Sequence, residues 1–407
     1  MNLFQGTELV LGVTGSIAAY KAAALASRLY QLGAQVQVAM TRAATEFVSP
    51  LTFASLTHRQ VVLDVLALGA DAEIEHVALA RRARLVIVAP ATANTLARIA
   101  HGFADDALAA IVLDTKAPIL VAPAMETGMW ESAATRANVE ILQARGITFV
   151  EPEEGHLASG ASGKGRMAEP EQIIAAARLI LARGGRLAGK RVVVTAGGTR
   201  EAIDPVRVIS NSSSGRMGYA LAEEALARGA DVTLISSAQD LPPPYGARLE
   251  PVVSTQDLDE AVLQTVRGAD ALVMAAAPAD FRPVVAAEQK IKKEDASELT
   301  LELVRNPDIL GKVAEMRRAQ PQDAPRVVVG FAAETNDLLA NARAKLERKQ
   351  LDLIVANPVP QTFGSDRVKA ILLSKGGNAQ DLAPMAKEEL AGIIWDEVER
   401  LLEESFQ

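Results

Sequence analysis

The sequence predicts an α/β protein built from two doubly wound domains, each a parallel sheet with helices on both faces. Three observations carry this. At 407 residues the chain is long for a single core. Short apolar runs alternate with helical patterns in the first half, as parallel strands and crossover helices require. After a glycine-rich stretch, the same alternation restarts.

In the first half the strands are expected at Leu9–Val13, Val36–Met40, Leu85–Ala89, Ile119–Ala122 and Ile147–Val150, with a first helix from about Ile17 to Leu32. Ligands of such sheets bind beyond the carboxyl ends of the strands. The loops that fall there are Gly12-Val-Thr-Gly-Ser16, Thr41-Arg-Ala43, Ala89-Pro-Ala-Thr-Ala-Asn94 and Pro123-Ala-Met-Glu126. Residues 151–169 have glycines and no periodicity, and read as a long functional loop. A helix over Glu171–Ala182 leads to a linker at 183–190, so the expected domains are 1–182 and 191–407. In the second half, strands are expected at Arg191–Thr195, Asp231–Ser236, Ala271–Ala275, Arg326–Gly330 and Leu353–Ala356. Helices are expected near 216–228, 256–267, 307–318, 336–349 and 386–403.

The composition excludes several classes of function. The apolar fraction of 49% and the charged fraction of 23% are those of an ordinary globular protein. No apolar run reaches membrane-spanning length, and no signal peptide is read at the start, so the expectation is a cytoplasmic protein without a membrane partner. Leu3-Phe4-Gln5-Gly6 reads equally as native sequence or as the remnant of a protease site. With no cysteine there is neither a disulfide nor a thiol nucleophile. A net charge of −8 argues against nucleic-acid binding. The four histidines are widely spaced and suggest no structural metal site.

The densest motif is Ala196-Gly-Gly-Thr-Arg-Glu201, followed by Asp204-Pro-Val-Arg207 and Ser210-Asn-Ser-Ser-Ser-Gly-Arg-Met-Gly218. It lies between a strand and a helix, where backbone N–H groups and a helix N-terminus suit an anion. Gly12-Val-Thr-Gly-Ser-Ile-Ala-Ala-Tyr-Lys21 suits a phosphate in the same way, or is a tight turn with a good N-cap. Neither GxGxxG nor GxxxxGK[ST] occurs, which speaks against a nicotinamide oxidoreductase. His76, on an expected helix, is either an ordinary surface histidine or a proton-transfer group. Glu126 at a strand's carboxyl end is hard to explain by packing, because an unpaired buried carboxylate is costly. Lys290-Ile-Lys-Lys293 reads as solvated surface or as charge for a triphosphate. Lys345 and Lys349 share one helix face.

Taken in order, these motifs resemble the bacterial bifunctional flavoproteins of coenzyme A biosynthesis, which couple phosphopantothenoylcysteine decarboxylase to phosphopantothenate–cysteine ligase. The resemblance runs from about Glu8 to the C-terminus. In the second half it rests on Thr195–Glu201, Asp204–Arg207, Ser210–Gly218, Lys290–Lys293, Asn306-Pro-Asp308 and Gly330–Thr335. In the first half it rests on Gly12–Lys21, Ala89–Ala93 and Pro123–Met125. It implies two Rossmann-like domains, the N-terminal one a flavodoxin-like flavoprotein and the C-terminal one the ligase.

For the ligase, the resemblance implies attack of the 4′-phosphopantothenate carboxylate on the α-phosphate of CTP, with Mg²⁺, and then attack by L-cysteine on the acyl-cytidylate. Lys290 would serve activation, and Arg207 and Asn211 would hold the intermediate. Ser212, Ser213, Ser214, Gly215, Asp280, Asp308, Phe331, Lys345 and Lys349 would bind the nucleotide. For the decarboxylase it implies FMN, bound by Gly15, Ser16, Thr41, Ala91, Thr92 and Ala93, with His76 catalytic. The implied assembly is a homo-oligomer of decarboxylase trimers, commonly dodecameric, with dimeric ligase domains. Two alternative readings are a ligase with a flavin-binding scaffold and a flavin-containing regulatory protein. The chain departs from the family pattern twice. Glu126 stands where asparagine usually follows Pro-Ala-Met, and Ser159 stands where the substrate-clamp loop usually has the proton-donating cysteine. Because the surrounding motifs are kept, the expectation is an active variant in which Glu126 takes part in proton handling.

Overall fold

The computed structural model describes residues 2–67, 73–292, 298–334, 337–358 and 367–404. Lys293, Thr335 and Asn336 lie outside the described residues. Two compact units emerge, Asn2–Leu181 and Ala182–Gln407.

In chain order the first unit contains β1 (Glu8–Val13), α1 (Ala19–Gln31), β2 (Gln35–Met40), α2 (Pro50–Thr57), α3 (Glu75–Arg82), β3 (Leu85–Ala91), α4 (Ala93–His101) and α5 (Ala107–Asp114). After these come β4 (Ile119–Pro123), α6 (Thr127–Trp130), α7 (Ala133–Ala144), β5 (Thr148–Phe149), β6 (Glu153–His156), β7 (Ser162–Arg166) and α8 (Pro170–Ala182). The sheet runs β2-β1-β3-β4-β5, parallel throughout. The order reverses between β1 and β3, and that switch point is where this architecture opens a crevice. Because successive side chains leave a strand on opposite faces, apolar runs feed two cores. Leu9, Leu11, Leu85 and Ile87 pack with Leu25 and Leu29 of α1 and Ile173 of α8. Val10, Val86 and Val88 pack with Leu96 of α4 and Leu108 of α5 on the other face. Phe4 is fully buried in the first of these cores, so the opening segment is part of the fold.

The stretch read as a long loop is a hairpin. β6 and β7 pair antiparallel, Glu154 opposite Lys164 and His156 opposite Ser162. The glycines of Gly163-Lys-Gly165 serve docking. A Cβ on Gly163 would stand 2.4 Å from Thr127 Oγ1, and one on Gly165 would stand 2.2 Å from the Met125 carbonyl oxygen. The Met125 N–H donates to the Gly165 carbonyl at 3.0 Å. Strand β7 therefore lies directly on the Met125–Thr127 segment.

The second unit contains β8 (Arg191–Ala196), β9 (Arg200–Ala202), β10 (Val208–Ser210), α9 (Arg216–Ala227), β11 (Asp231–Ser236), β12 (Arg248–Pro251), α10 (Thr255–Thr265) and β13 (Ala271–Met274). It continues with β14 (Phe281–Pro283), β15 (Leu303–Arg305), α11 (Ile309–Ala319), β16 (Val327–Glu334), α12 (Leu338–Arg348), β17 (Leu353–Pro358), β18 (Arg367–Ser374), β19 (Ala379–Ala386) and α13 (Lys387–Glu404). Its main sheet runs β12-β11-β8-β13-β16-β17-β18-β19, parallel as far as β17 and antiparallel beyond. Its first six strands thus follow the Rossmann 3-2-1-4-5-6 order, with the switch point between β8 and β13. Three strands of this sheet, β12, β18 and β19, were not among those expected.

One face of this sheet is covered by α10, α11 and α12. Among its other helices, α13 packs on α9. Trp395 is fully buried and its indole N–H donates to the Leu221 carbonyl at 2.9 Å. Arg228, also buried, bonds Glu224, Asp396 and Glu399 at 2.8–2.9 Å. The segment read as a linker is tied into this unit: Leu187 is buried, its N–H donates to the Arg228 carbonyl at 3.0 Å, and Arg186 pairs with Glu399 at 3.3 Å.

Candidate functional site

In the first unit, the β1 exit and the β3 exit are joined at the switch point by Thr14. This buried hydroxyl donates to the Pro90 carbonyl at 2.7 Å and accepts the Thr92 N–H at 3.1 Å. Gly15 follows, pressed so closely on the turn at Arg42–Glu46 that a Cβ would stand 2.5 Å from the Ala43 Cβ. Just before that turn, the Thr41 hydroxyl is buried without a hydrogen-bond partner. Thr92 caps α4, accepting the Thr95 N–H at 3.3 Å.

These elements open a cleft of about 530 Å³, lined by Gly15, Ser16, Thr92 and Glu126 among the expected residues. That volume suits a small ligand. Tyr20, Phe47 and Met129 add exposed apolar surface at the cleft, and Lys21 and Arg166 add charge. Buried Lys21 donates to the Met167 carbonyl at 3.1 Å and to Glu169 at 2.7 Å, while Arg166 meets the same Glu169 at 3.3 Å. The sequence reading passed over Lys21 and Arg166 as lining groups, although both belong to motifs it had singled out.

The two departures from the family pattern touch; of the two, only Glu126 lines the cleft. The Ser159 hydroxyl, at the tip of the β6–β7 hairpin, donates to Glu126 Oε2 at 2.9 Å. Ala91 is buried in β3, and neither it, Ala93 nor Thr41 lines the cleft. His76 sits on α3 with its Nδ1 2.8 Å from the Val65 carbonyl and does not line the cleft either.

In the second unit, Ala196–Glu201 is a clasp more than an open cradle. The Gly197 carbonyl accepts the Ala277 N–H at 2.8 Å. The Thr199 hydroxyl accepts the Ala279 N–H at 2.8 Å. Glu201, 3% exposed, accepts the Thr255 N–H at 2.9 Å and its hydroxyl at 2.8 Å, so its buried charge is hydrogen-bonded. Asn211 Nδ2 donates to the Ala277 and Pro278 carbonyls at 3.2 and 3.0 Å. The bonds to Ala277, Pro278 and Ala279 hold the exit of β13, and those of Glu201 hold the start of α10. Gly197, at φ +87°, and Gly218 allow close packing: a Cβ on Gly218 would stand 2.5 Å from the Ala196 Cβ. Ser212, Ser213 and Ser214 then lead to Gly215, the N-cap of α9, which has no side-chain cap bond.

Asp204 and Arg207 form a bracket. The Asp204 carboxylate, 2% exposed, accepts the N–H groups of Val206 and Arg207 at 2.8 Å, Arg207 Nε and Nη2 at 2.9 and 2.6 Å, and the Ile291 N–H at 3.2 Å. Arg207 Nη2 also donates to the Ile291 carbonyl at 2.6 Å. Burial opposes the charge of Asp204, but these donors hold its pKa well below the ordinary carboxylate range. Arg207 was expected to hold an intermediate. Its Nε and Nη2 bond Asp204, and Nη2 also ties it to Ile291, next to exposed Lys290.

Beyond β13 and along β16 lies a cleft of about 460 Å³ that gathers Asp280, Asp308, Phe331, Lys345 and Lys349. Asp308 caps α11, accepting the Gly311 N–H at 3.0 Å, and pairs with Lys349. Burial raises its pKa, but Lys349 and the Gly311 N–H outweigh that, and the net shift is downward. Lys345 Nζ donates to the Phe331 carbonyl at 2.8 Å. Arg348, unremarked in the sequence, lines the same cleft, and its place next to Lys349 was the available signal. Lys290 and Ser212–Gly215 are not among the residues lining this cleft.

Two family models match the chain: one described as Flavoprotein over residues 3–180, the other as DNA/pantothenate metabolism flavoprotein C-terminal domain over residues 187–402. The coenzyme A biosynthesis bifunctional protein CoaBC of Bacillus subtilis (strain 168) is 44% identical over 405 residues, 98% of each chain. That of Mycobacterium tuberculosis (strain ATCC 25618 / H37Rv) is 45% identical over 403 residues, 96% of each chain. Among solved structures, the C-terminal domain of a CoaBC is 37% identical, covering 54% of this chain and 99% of that one, with a TM-score of 0.46.

Proposed function

This chain belongs to the family of coenzyme A biosynthesis bifunctional proteins, and from that premise we propose how its two halves divide the chemistry. It is an enzyme of coenzyme A biosynthesis with phosphopantothenate–cysteine ligase and phosphopantothenoylcysteine decarboxylase activities. We assign the decarboxylase to residues 1–182 and the ligase to residues 191–407, joined by 183–190.

The observation that carries the ligase assignment is the convergence of Asp280, Asp308, Phe331, Lys345 and Lys349 on one cleft. Lysines there suit a triphosphate, and Mg²⁺ would arrive on the nucleotide. CTP is the nucleotide of this reading. The carboxylate of 4′-phosphopantothenate attacks its α-phosphate, and cysteine's amine then displaces the cytidylate. Lys290, its segment pinned by Asp204 and Arg207, meets the charge that builds on the phosphate. Asn211 faces the acyl group for the second step, and Ser212–Gly215 receive a phosphate at the N-terminus of α9.

The first cleft fits FMN. The Gly15–Ser16 turn offers polar groups for its phosphate, and Thr92 with the apolar side chains offers a slot for its ring; the expected contacts Thr41, Ala91 and Ala93 stay part of this reading although they do not line the cleft. Bound there, FMN would supply hydride-transfer chemistry: oxidation of the substrate's sulfur-bearing carbon would let the neighbouring carboxylate leave as CO₂, and the hydride would then reduce the product. Glu126 lines that slot, and Ser159, outside the lining, bonds it.

His76 lies outside this cleft's lining, and Ile17, Tyr20, Phe47 and Met129 leave the cleft with exposed apolar side chains. An assembly in which a second copy covers that rim and brings its own histidine accounts for both. We therefore read the protein as a trimer-based oligomer, commonly dodecameric, with paired ligase domains. No helix among the described residues is long and apolar enough to cross a membrane, and cytoplasmic residence is part of this reading.

Two assays test the assignment. Protein given 4′-phosphopantothenate, L-cysteine, Mg²⁺ and CTP releases pyrophosphate, and K290Q releases far less. FMN-loaded protein given phosphopantothenoylcysteine releases CO₂. Release no greater than that of a His76→Asn control would remove the decarboxylase from the account.

A further inference from the structure

Three stretches of chain contribute to the lining of the first cleft: 15–21 at the start of α1, 124–126 after β4, and 165–167 at the end of β7. The second and third are tied by backbone, the Met125 N–H donating to the Gly165 carbonyl at 3.0 Å. The first and third are tied by one side chain. Lys21 is 9% exposed, and its Nζ donates to the Met167 carbonyl at 3.1 Å and to Glu169 Oε1 at 2.7 Å. Among the described residues, both side-chain hydrogen bonds that join α1 to residues 165–169 come from it. Arg166 Nη2 meets the same Glu169 oxygen at 3.3 Å, and its Nη1 lies where a Cβ on Gly155 would stand 2.6 Å away. Contacts therefore run from α1 through Lys21, Glu169 and Arg166 to both strands of the hairpin. Lysine is almost never this buried unless it is paired. Stability alone does not call for the pair, since a buried ion pair can often be replaced by apolar side chains of similar volume without loss.

Resting on the decarboxylase reading above, we propose that Lys21 is a positioning residue for that reaction. It fixes residues 165–167 relative to the Gly15–Ser16 turn, and so sets the width of the slot in which the substrate meets the flavin ring. It acts through the Met167 carbonyl and the Glu169 carboxylate, not as a ligand of the FMN phosphate and not as a proton donor. Its charge is already met by Glu169. The consequence for rate is large, because a reacting group held about 1 Å out of place can cost about a hundredfold.

The test separates positioning from flavin binding and from general support of the fold. K21M keeps an unbranched apolar stem and leaves Glu169 its bond to Arg166, so it cuts the tie without stranding a carboxylate. Wild type and K21M are compared in three measurements. In flavin-free protein, backbone hydrogen exchange should speed up over 162–168 and keep the wild-type rate over 8–13 and 85–91. The FMN dissociation constant, followed by flavin fluorescence, should be unchanged. With saturating FMN, kcat for CO₂ release from phosphopantothenoylcysteine should fall at least about tenfold, as misplacement of the reacting groups requires, while KM changes far less. Wild-type exchange over 162–168, or a wild-type kcat, would make the tie redundant and overturn the proposal. Faster exchange over 8–13 and 85–91 as well would make Lys21 a support of the whole unit, and an FMN affinity that falls as far as kcat would make it a flavin ligand. Either result also overturns the proposal, and all four leave the decarboxylase standing. Wild type that releases no CO₂ overturns both.

Discussion

Two carboxylates, Asp204 in the second unit and Glu126 in the first, stand next to residues assigned to chemistry, and they are held in opposite ways. Asp204 is buried and takes hydrogen bonds from Val206, Arg207 and Ile291. It is saturated, and its work is to fix the backbone beside Lys290. Glu126 is half-buried and takes a single side-chain bond, from Ser159, among the described residues. A saturated carboxylate is an anchor, because any change in its protonation leaves donors unpaired. A carboxylate with spare lone pairs that lines a cleft can accept a ligand's donors instead. The contrast separates a carboxylate that fixes the backbone from one left open at a cleft.

The largest expected effect lies on the placement side. K290Q should lower CTP-dependent pyrophosphate release by about 10²–10³-fold, the usual cost of removing one preorganised charge, while FMN-dependent CO₂ release stays at the wild-type level. Equal losses in both assays would erase the division between the halves. Next is W395A, which removes the buried indole between α13 and α9 and its bond to Leu221. It should cost about 3–5 kcal/mol. By calorimetry the transition of the second unit should fall, while the temperature at which flavin fluorescence is released from the first unit holds.

A smaller effect tests the hairpin. G165A places a Cβ against the Met125 carbonyl, a backbone atom that cannot move aside. Overpacking of this kind costs about 1–3 kcal/mol, and G165A should raise hydrogen exchange over 153–166 and slow CO₂ release without touching the ligase assay. Smallest is a pH effect at the anchor. The folded pKa of Asp204 lies below its unfolded value of about 3.9. Its contribution to stability is therefore complete above that value and is lost as pH falls below it. Melting temperature should drop on acidification below about pH 4, and D204N should show a shallower drop. A steeper drop in D204N would mean that Asp204 is not held ionised by its bracket.

Much of this was legible in the chain and some was not, for identifiable reasons. Strands such as Leu9–Val13 and Leu85–Ala89 are continuous apolar runs because both faces of a parallel sheet are buried, and the sequence marks them plainly. The cleft beyond β13 was legible as a set of residues, since Asp280, Asp308, Phe331, Lys345 and Lys349 do converge. The hairpin at 153–166 was hidden because its glycines, which usually signal a turn or loop, are there for close docking. Strands β18 and β19 went unread although Gly376-Gly377 between them is a hairpin signal; β19 is mostly exposed and lacks a clean apolar alternation, as an edge strand allows. Nothing local in Asp204-Pro-Val-Arg207 points to Ile291, which folding brings to it. The contact between Glu126 and Ser159 was equally invisible. It turns two separate departures from a family pattern into one structural feature.

The central claim is that one chain carries 4′-phosphopantothenate through both reactions. Its most direct test is a single anaerobic mixture of the purified protein with FMN, Mg²⁺, CTP, L-cysteine and 4′-phosphopantothenate, in which pyrophosphate, CO₂ and 4′-phosphopantetheine are all counted. The account predicts CO₂ and 4′-phosphopantetheine in equal amounts, neither exceeding the pyrophosphate released. Pyrophosphate with phosphopantothenoylcysteine accumulating and no CO₂ would contradict it, leaving a ligase joined to a flavin-binding domain that does not decarboxylate.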